Sequence, residues 1–229
     1  GTVPWPGIRY RSVNSSWRAR RRSSTPQHRS TEGHIIAAHL HGDVSTRIDD
    51  YGAVVYDLDG TLVRLAVNWK AAATEATAAF AEAGVDADAD LWSLFETAPE
   101  YGLADELEAI LSAHERRGAE RAIRLPLADH LPQARPVGVC SLNAESACRV
   151  ALDRHDLLSH VGTVVGRDSV TTHKPDPEPL LTAVDRIGAD PAETVFVGDS
   201  ERDALTADRA GVAFAWADAV AGDGVPAER

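Results

Sequence analysis

Residues 51–62 read YGAVVYDLDGTL, and this stretch constrains the chain more than any other. Ala53, Val54, Val55 and Tyr56 are small, β-branched or aromatic, as expected of a buried parallel strand. The apolar run stops abruptly at Asp57, Leu58, Asp59 and Gly60. Two carboxylates two residues apart at the end of a buried strand are costly unless their charge is offset. A divalent cation would offset it, because hard cations take carboxylate oxygens. The simpler alternative is a strand ending in a turn, since Asp-Gly is a common turn pair.

The rest of the chain supplies a context for that strand. The patterning predicts strands at 51–58, 136–142, 163–165, 194–197 and 212–216. Helices are expected at 69–83, at 91–95 with Asp88 or Asp90 as cap, and at 103–117. Further helices are expected at 126–133, 144–157, 201–210 and from Pro177, with Asp176 as N-cap and Pro177 at the first position. Gly84, Gly118, Gly188 and Gly211 stand where helices should stop. Strands alternating with helices imply an α/β fold with a parallel sheet and right-handed crossovers. Ligands of such sheets bind beyond the carboxyl ends of the strands.

This pattern divides the chain. Residues 50–66 and 122–219 form the core, and 67–121 form a helical insert whose aromatic residues are expected to build its own core. Residues 1–49 show no period and include Arg18, Arg20, Arg21 and Arg22. They read as a disordered basic tail, or as upstream sequence translated in error, and the alternative is a basic arm for nucleic acid. His34, His39 and His41 in that segment lack Cys or acidic partners at ligand spacing and read as solvated. Residues 220–229 read as a frayed end.

Charge narrows the partners. Residues 1–50 hold eight Arg against four acids, a balance of +4, whereas 51–229 hold 15 basic against 31 acidic residues, a balance of −16. An acidic body argues against nucleic acid as the main partner. Lys70 and Lys174 are the two lysines in the chain. An acidic surface with Arg over Lys suits a salt-rich cytosol, and a halophilic origin predicts unfolding midpoints that rise from low to molar salt. No run approaches a membrane span, and the N-terminal residues show no secretory pattern, so a cytoplasmic location with no membrane partner is expected. Cys140 and Cys148 are expected as free buried thiols.

Four polar stations follow the predicted strands. The first is DLDGT. Asp57 suits a nucleophile, since carboxylates form acyl-phosphates, and Asp59 suits an acid that protonates a leaving group and then activates water. Gly60 lets backbone approach a phosphate closely. The second is Ser141 with Asn143, which can donate to phosphate oxygens without adding charge, or simply cap the next helix. The third is Lys174 in HKPDPEPL, either a point charge for a phosphate and the nucleophile or a solvated lysine. The fourth is GDSERD, where Asp199 and Asp203 lie one helical turn apart. They either cap that helix or, with the Asp57 carboxylate and the Asp59 carbonyl, hold Mg²⁺.

DLDGT, the strand-end Ser141, the KPDP lysine and GDSERD, in this order, resemble the four motifs of the haloacid dehalogenase superfamily. The insert between the first and second motifs is similar to the C1-type cap of the phosphoglycolate phosphatase-like branch. The resemblance covers about residues 51–217 and implies a Rossmann-like core under a mobile α-helical cap. It implies an Mg²⁺-dependent phosphatase of small phosphorylated metabolites. Asp57 would be phosphorylated, Asp59 would be the acid/base, and Ser141 and Lys174 would hold the phosphoryl group with Asn143 beside them. Asp199 would bind metal, and Asp203 would support the metal site directly or through water. The sequence departs from the pattern at Arg64, where an acid is common, at His173, where Gly is common, and at Asn143, two residues after Ser141. Phosphomutase, 2-haloacid dehalogenase and non-catalytic binding protein are the rival readings. A dehalogenase needs neither metal nor an acid at Asp59, and a binding protein has no need of Asp57, Asp59, Lys174 and Asp199 together. Arg64, Lys70, Arg116, Arg117 and Arg121 are candidates for the distal part of a substrate.

Overall fold

The computed structural model describes residues 47–86, 90–131 and 134–222. Residues 1–46 of the tail read as disordered, the three histidines at 34–41, Asp88, Pro132, Gln133 and the end from 223 lie outside the described residues. Ile48 and Asp49, read as part of that tail, instead lie in a 3₁₀ turn, Ile48–Asp50, with Ile48 packed against the core and Asp49 held by Arg135.

In chain order the elements are β1 (Ala53–Tyr56), β2 (Val63–Arg64), α1 (Trp69–Glu82), α2 (Leu91–Thr97), α3 (Ala104–Ala119), β3 (Ile123–Arg124) and β4 (Val137–Cys140). They continue with α4 (Glu145–Arg154), β5 (Thr163–Val165), α5 (Glu178–Arg186), β6 (Thr194–Gly198), α6 (Glu201–Ala210), β7 (Ala213–Trp216) and α7 (Ala217–Gly222).

Five strands form one parallel sheet in the order β5-β4-β1-β6-β7. All four residues of β1 are buried, as befits a central strand covered on both faces. Alternation sends Val54 and Tyr56 to one face, where α4 packs Ala147, Cys148 and Ala151. Val55 goes to the other face, against Leu180 and Val184 of α5 and Ala207 of α6. Tyr56 is paired with Val139 of β4 and with Val197 of β6. The ends of β1, β4 and β6 are therefore neighbours on one edge, and the chain crosses from one side of β1 to the other at this point. This is the topological switch point where doubly wound sheets bind ligands.

The antiparallel pair β2–β3, with Val63 opposite Arg124, frames residues 65–122. Between them α1, α2 and α3 bury their own cluster of Ala72, Ala76, Phe80, Leu94, Leu103, Leu107 and Leu111. Asn68 caps α1 by accepting the Ala71 N–H, and Asp90 caps α2 by accepting that of Ser93.

Several local expectations change. The helix expected to stop at Gly118 runs on to Ala119. Gly118 is there for close packing: a Cβ at that position would stand 2.7 Å from Val67 Cγ2 and 2.9 Å from its backbone N. The helix expected at 126–133 is a 3₁₀ turn, Pro126–His130. Asp176 accepts the Glu178 N–H, but Pro177 takes the cap position and α5 begins one residue later than expected. Residues 220–222, read as frayed, close helix α7, which the composition did not signal. Cys140 and Cys148 are free and buried. Among the described residues no helix is long and apolar enough to cross a membrane.

Candidate active site

Each of the four polar stations begins or ends at the carboxyl edge of the sheet. Asp57 follows β1 directly, and its N–H donates to Val197 O of β6 at 2.8 Å, which ties it to the neighbouring strand. Leu58 O accepts the N–H groups of Leu62 and Val63 at 3.0 Å each, so the chain turns back on itself after β1. The turn separates the two acids. Asp57 stays buried, while Asp59 is half-buried and accepts the Leu65 N–H at 2.8 Å. Gly60 makes the turn at φ +92°, and a Cβ there would sit 2.0 Å from Asp199 Oδ2. Only glycine lets the β1 loop come this close to the β6 loop.

Lys174 reaches the same place from the loop before α5. It is 3% exposed, and its ammonium donates to Asp57 Oδ1 at 2.9 Å, Asp203 Oδ1 at 2.5 Å and Cys140 O at 3.2 Å. All three ammonium donors are used, which excludes the reading of a solvated surface lysine. Asp203 is held from its other side. Its Oδ2 accepts the Ser200 hydroxyl at 2.5 Å and the Ser200 N–H at 3.2 Å, while Ser200 Oγ accepts the Asp203 N–H, closing a capping box on α6. Asp203 therefore both caps the helix and grips Lys174. Asp199 is exposed, yet one oxygen each from Asp57, Asp199 and Asp203 lie within 4.8 Å of one another.

The electrostatics reflect three acids around one ammonium. Burial pushes Asp57 up to about 7, and Asp203 and Asp199 add to the rise while Lys174 opposes it. Burial pushes Asp59 up to about 6, against its hydrogen bond from Leu65 and with the charge of Asp199 adding. Asp199 is also raised, by partial burial of its carboxyl and then by Asp203. Burial alone would lower Lys174, but Asp203 and Asp57 hold it well above its usual range, so it stays protonated. Burial pushes Cys140 up to about 12 and raises Cys148 too, so neither thiol competes as a nucleophile.

Ser141 and Asn143 are buried in the loop after β4. The Ser141 N–H donates to Val165 O at 2.9 Å, and Ser141 Oγ accepts the Asn143 N–H at 3.3 Å. Neither caps α4, whose cap position is Ala144 with no side-chain hydrogen bond. The distal candidates divide. Arg64 is exposed, but its charge reaches Asp59 and Asp199. Lys70, Arg116, Arg117 and Arg121 are exposed, as solvated charges are.

Sequence reasoning missed a second buried cluster beside this one. Arg167, in the loop after β5, donates to Glu108 and Glu115 of α3 and to Leu142 O. A signal for it was present. Glu115 lies four residues beyond Leu111 and eight beyond Leu107, so it continues the apolar stripe of α3. A charge on such a stripe demands a buried partner.

The comparisons with known proteins give the family and the fold. A family model described as haloacid dehalogenase-like hydrolase matches residues 130–217. A phosphoglycolate phosphatase of Cereibacter sphaeroides (strain ATCC 17029 / ATH 2.4.9) is 33% identical over 188 residues, which cover 71% of this chain and 83% of the relative. The crystal structure of a hydrolase from Pseudomonas syringae matches with a TM-score of 0.55 at 22% identity, covering 71% of this chain and 83% of that one. CbbY from Rhodobacter sphaeroides, in complex with phosphate, matches with a TM-score of 0.54 at 17% identity, covering 72% of this chain and 85% of its own. These two structures share the fold. The chain belongs to the haloacid dehalogenase-like hydrolase family. Within that family it is a phosphatase.

Proposed function

We propose that the protein hydrolyses small phosphate monoesters with Asp57 as nucleophile, Asp59 as acid and base, and Mg²⁺ as cofactor. The convergence of Asp57, Lys174, Asp199 and Asp203 on one edge of the sheet carries the reading.

The residues present fit a divalent cation. Their donors are hard carboxylate oxygens, and three carboxylates face the single ammonium of Lys174. Asp57 and Asp199 would hold Mg²⁺ with the Asp59 carbonyl, and Asp203 would support the site while keeping its grip on Lys174. Bound Mg²⁺ would withdraw charge from the phosphoryl oxygens.

The chain's own groups then divide the work. An Asp57 oxygen forms a bond to phosphorus as the ester P–O bond breaks. Asp59, whose proton is held to about pH 6, gives that proton to the departing alcohol. It then takes a proton from the water that attacks phosphorus, the bond to Asp57 breaks, and phosphate leaves. Ser141 and Asn143 hold the phosphoryl oxygens, and Lys174, whose three donors stay on Asp57, Asp203 and Cys140 O, supplies the larger share through its charge. Helices α1 to α3 would serve as the cap over this edge.

The relative from Cereibacter sphaeroides makes phosphoglycolate the first probe of a metabolite screen with and without Mg²⁺. Asp57→Asn keeps the shape of the side chain and loses the nucleophile. It should cut Mg²⁺-dependent hydrolysis of p-nitrophenyl phosphate on the order of 10³-fold or more while leaving the unfolding transition intact. Full activity in that variant would rule out the covalent route.

A further inference from the structure

A helix that follows a loop such as Ser141-Leu142-Asn143 ordinarily takes its N-cap from a Ser or Asn side chain. Here the cap position falls on Ala144, which has none to offer. The Ala144 N–H instead donates to Glu115 Oε2 at 2.8 Å. Glu115 belongs to α3, in the insert, and is 0% exposed. A buried carboxylate from a distant helix thus sits at the start of α4, where negative charge is favoured.

Arg167 holds that carboxylate in place. It donates to Glu115 Oε1 at 2.7 Å from Nη1 and to Glu115 Oε2 at 3.2 Å from Nη2. Its Nε and Nη2 donate to the two oxygens of Glu108 at 2.8 Å each, and Nη1 also donates to Leu142 O at 2.8 Å. All five guanidinium donors are used, which no ammonium could match. The Arg167 backbone N–H adds a bond to Asn143 O at 2.9 Å. The loop is therefore pinned at Leu142 O, Asn143 O and the Ala144 N–H, on both sides of Asn143.

We propose that Glu115 and Arg167 are a positioning pair. They fix the backbone of the loop so that Ser141 and Asn143 face the phosphoryl group instead of capping α4. The inference rests on the reading of Ser141 and Asn143 as phosphate donors. It also makes the insert part of the phosphate site, because half of the pair comes from α3.

The test uses four variants of the full chain. Each is measured for kcat and KM with p-nitrophenyl phosphate, the inhibition constant of inorganic phosphate, and the melting temperature. Glu115→Gln leaves Arg167 balanced by Glu108, and Arg167→Lys keeps the charge but not the fork. Both should raise the phosphate inhibition constant and lower kcat/KM on the order of tenfold or more, as a loosened loop predicts. Glu108→Gln also weakens the cluster but touches no part of the loop, and its kinetic constants should stay at the wild-type values. A folded Glu115→Gln with wild-type phosphate affinity and kcat/KM overturns the proposal. If Glu115→Gln does not fold, wild-type constants in Arg167→Lys overturn it equally. Ser141→Ala separates the two readings. If it loses phosphate affinity while Glu115→Gln does not, the positioning pair alone falls. If it changes nothing, the phosphate loop falls and the pair with it.

Discussion

Two buried cations lie between acids among the described residues, and they are built for different ends. Lys174 faces Asp57 and Asp203, with Asp199 beside them, so three carboxylates share one ammonium. Burial pushes Asp57 up to about 7 there, with Lys174 opposing the rise and Asp203 and Asp199 adding to it. Arg167 faces Glu108 and Glu115 with a planar fork that uses every donor. Burial alone would raise Glu108, but the bonds and charge of Arg167 prevail and hold its carboxyl below the usual range. The first cluster sets three carboxylates against one ammonium, which on the proposed reading is balanced by a metal ion. The second is closed on itself and holds a shape. Buried polar clusters can serve either end, and the balance of charge distinguishes them.

The largest test of this contrast removes the cations. Lys174→Met and Arg167→Met each strand buried carboxylates and should cost about 3–5 kcal/mol in urea unfolding. Measured against wild type at the same saturating Mg²⁺, the deficit of Lys174→Met should shrink and that of Arg167→Met should stay unchanged. Equal recovery in both would erase the distinction.

Smaller in effect is the cofactor itself. At 100 times its dissociation constant, Mg²⁺ should stabilise the wild type by about 2.7 kcal/mol, and chelation should reverse the gain. Asp199→Asn should weaken that response, whereas Arg167→Lys should keep it. Thermal melts across a Mg²⁺ titration read both.

The smallest effect is in pH. Glu108 is lowered in the folded state from an ordinary value of 4.5, so its contribution is full above that pH. It is lost as pH falls below 4.5 through the lowered value. Because Glu108 is partly exposed, the difference between wild type and Glu108→Gln over this window should be below about 1 kcal/mol. Stability curves that stay parallel through the window would show that Arg167 does not draw on Glu108.

The local sequence already contained the candidate site. Asp57, Lys174 and Asp199 were legible because each breaks a strong pattern. Two acids end an apolar strand, and Lys174 is one of two lysines in a chain that otherwise prefers arginine. The stop signals were less dependable. Gly118 reads as a helix stop because glycine usually is one, but close contact with Val67 requires it inside the helix. Asp203 reads as a metal ligand or a cap, and the structure gives it two partners at once, Lys174 and Ser200.

By itself the sequence determined the alternation of strands and helices, the buried central strand and the polar residues that follow it. Those depend on neighbours within one or two turns of chain, where period and turn chemistry act. Only the tertiary structure decided that Glu115 caps a helix 29 residues away and that Arg167 binds it there. A charge on an apolar stripe announces that it needs a partner. Which partner it finds depends on how the insert folds back onto the sheet, and no local pattern carries that.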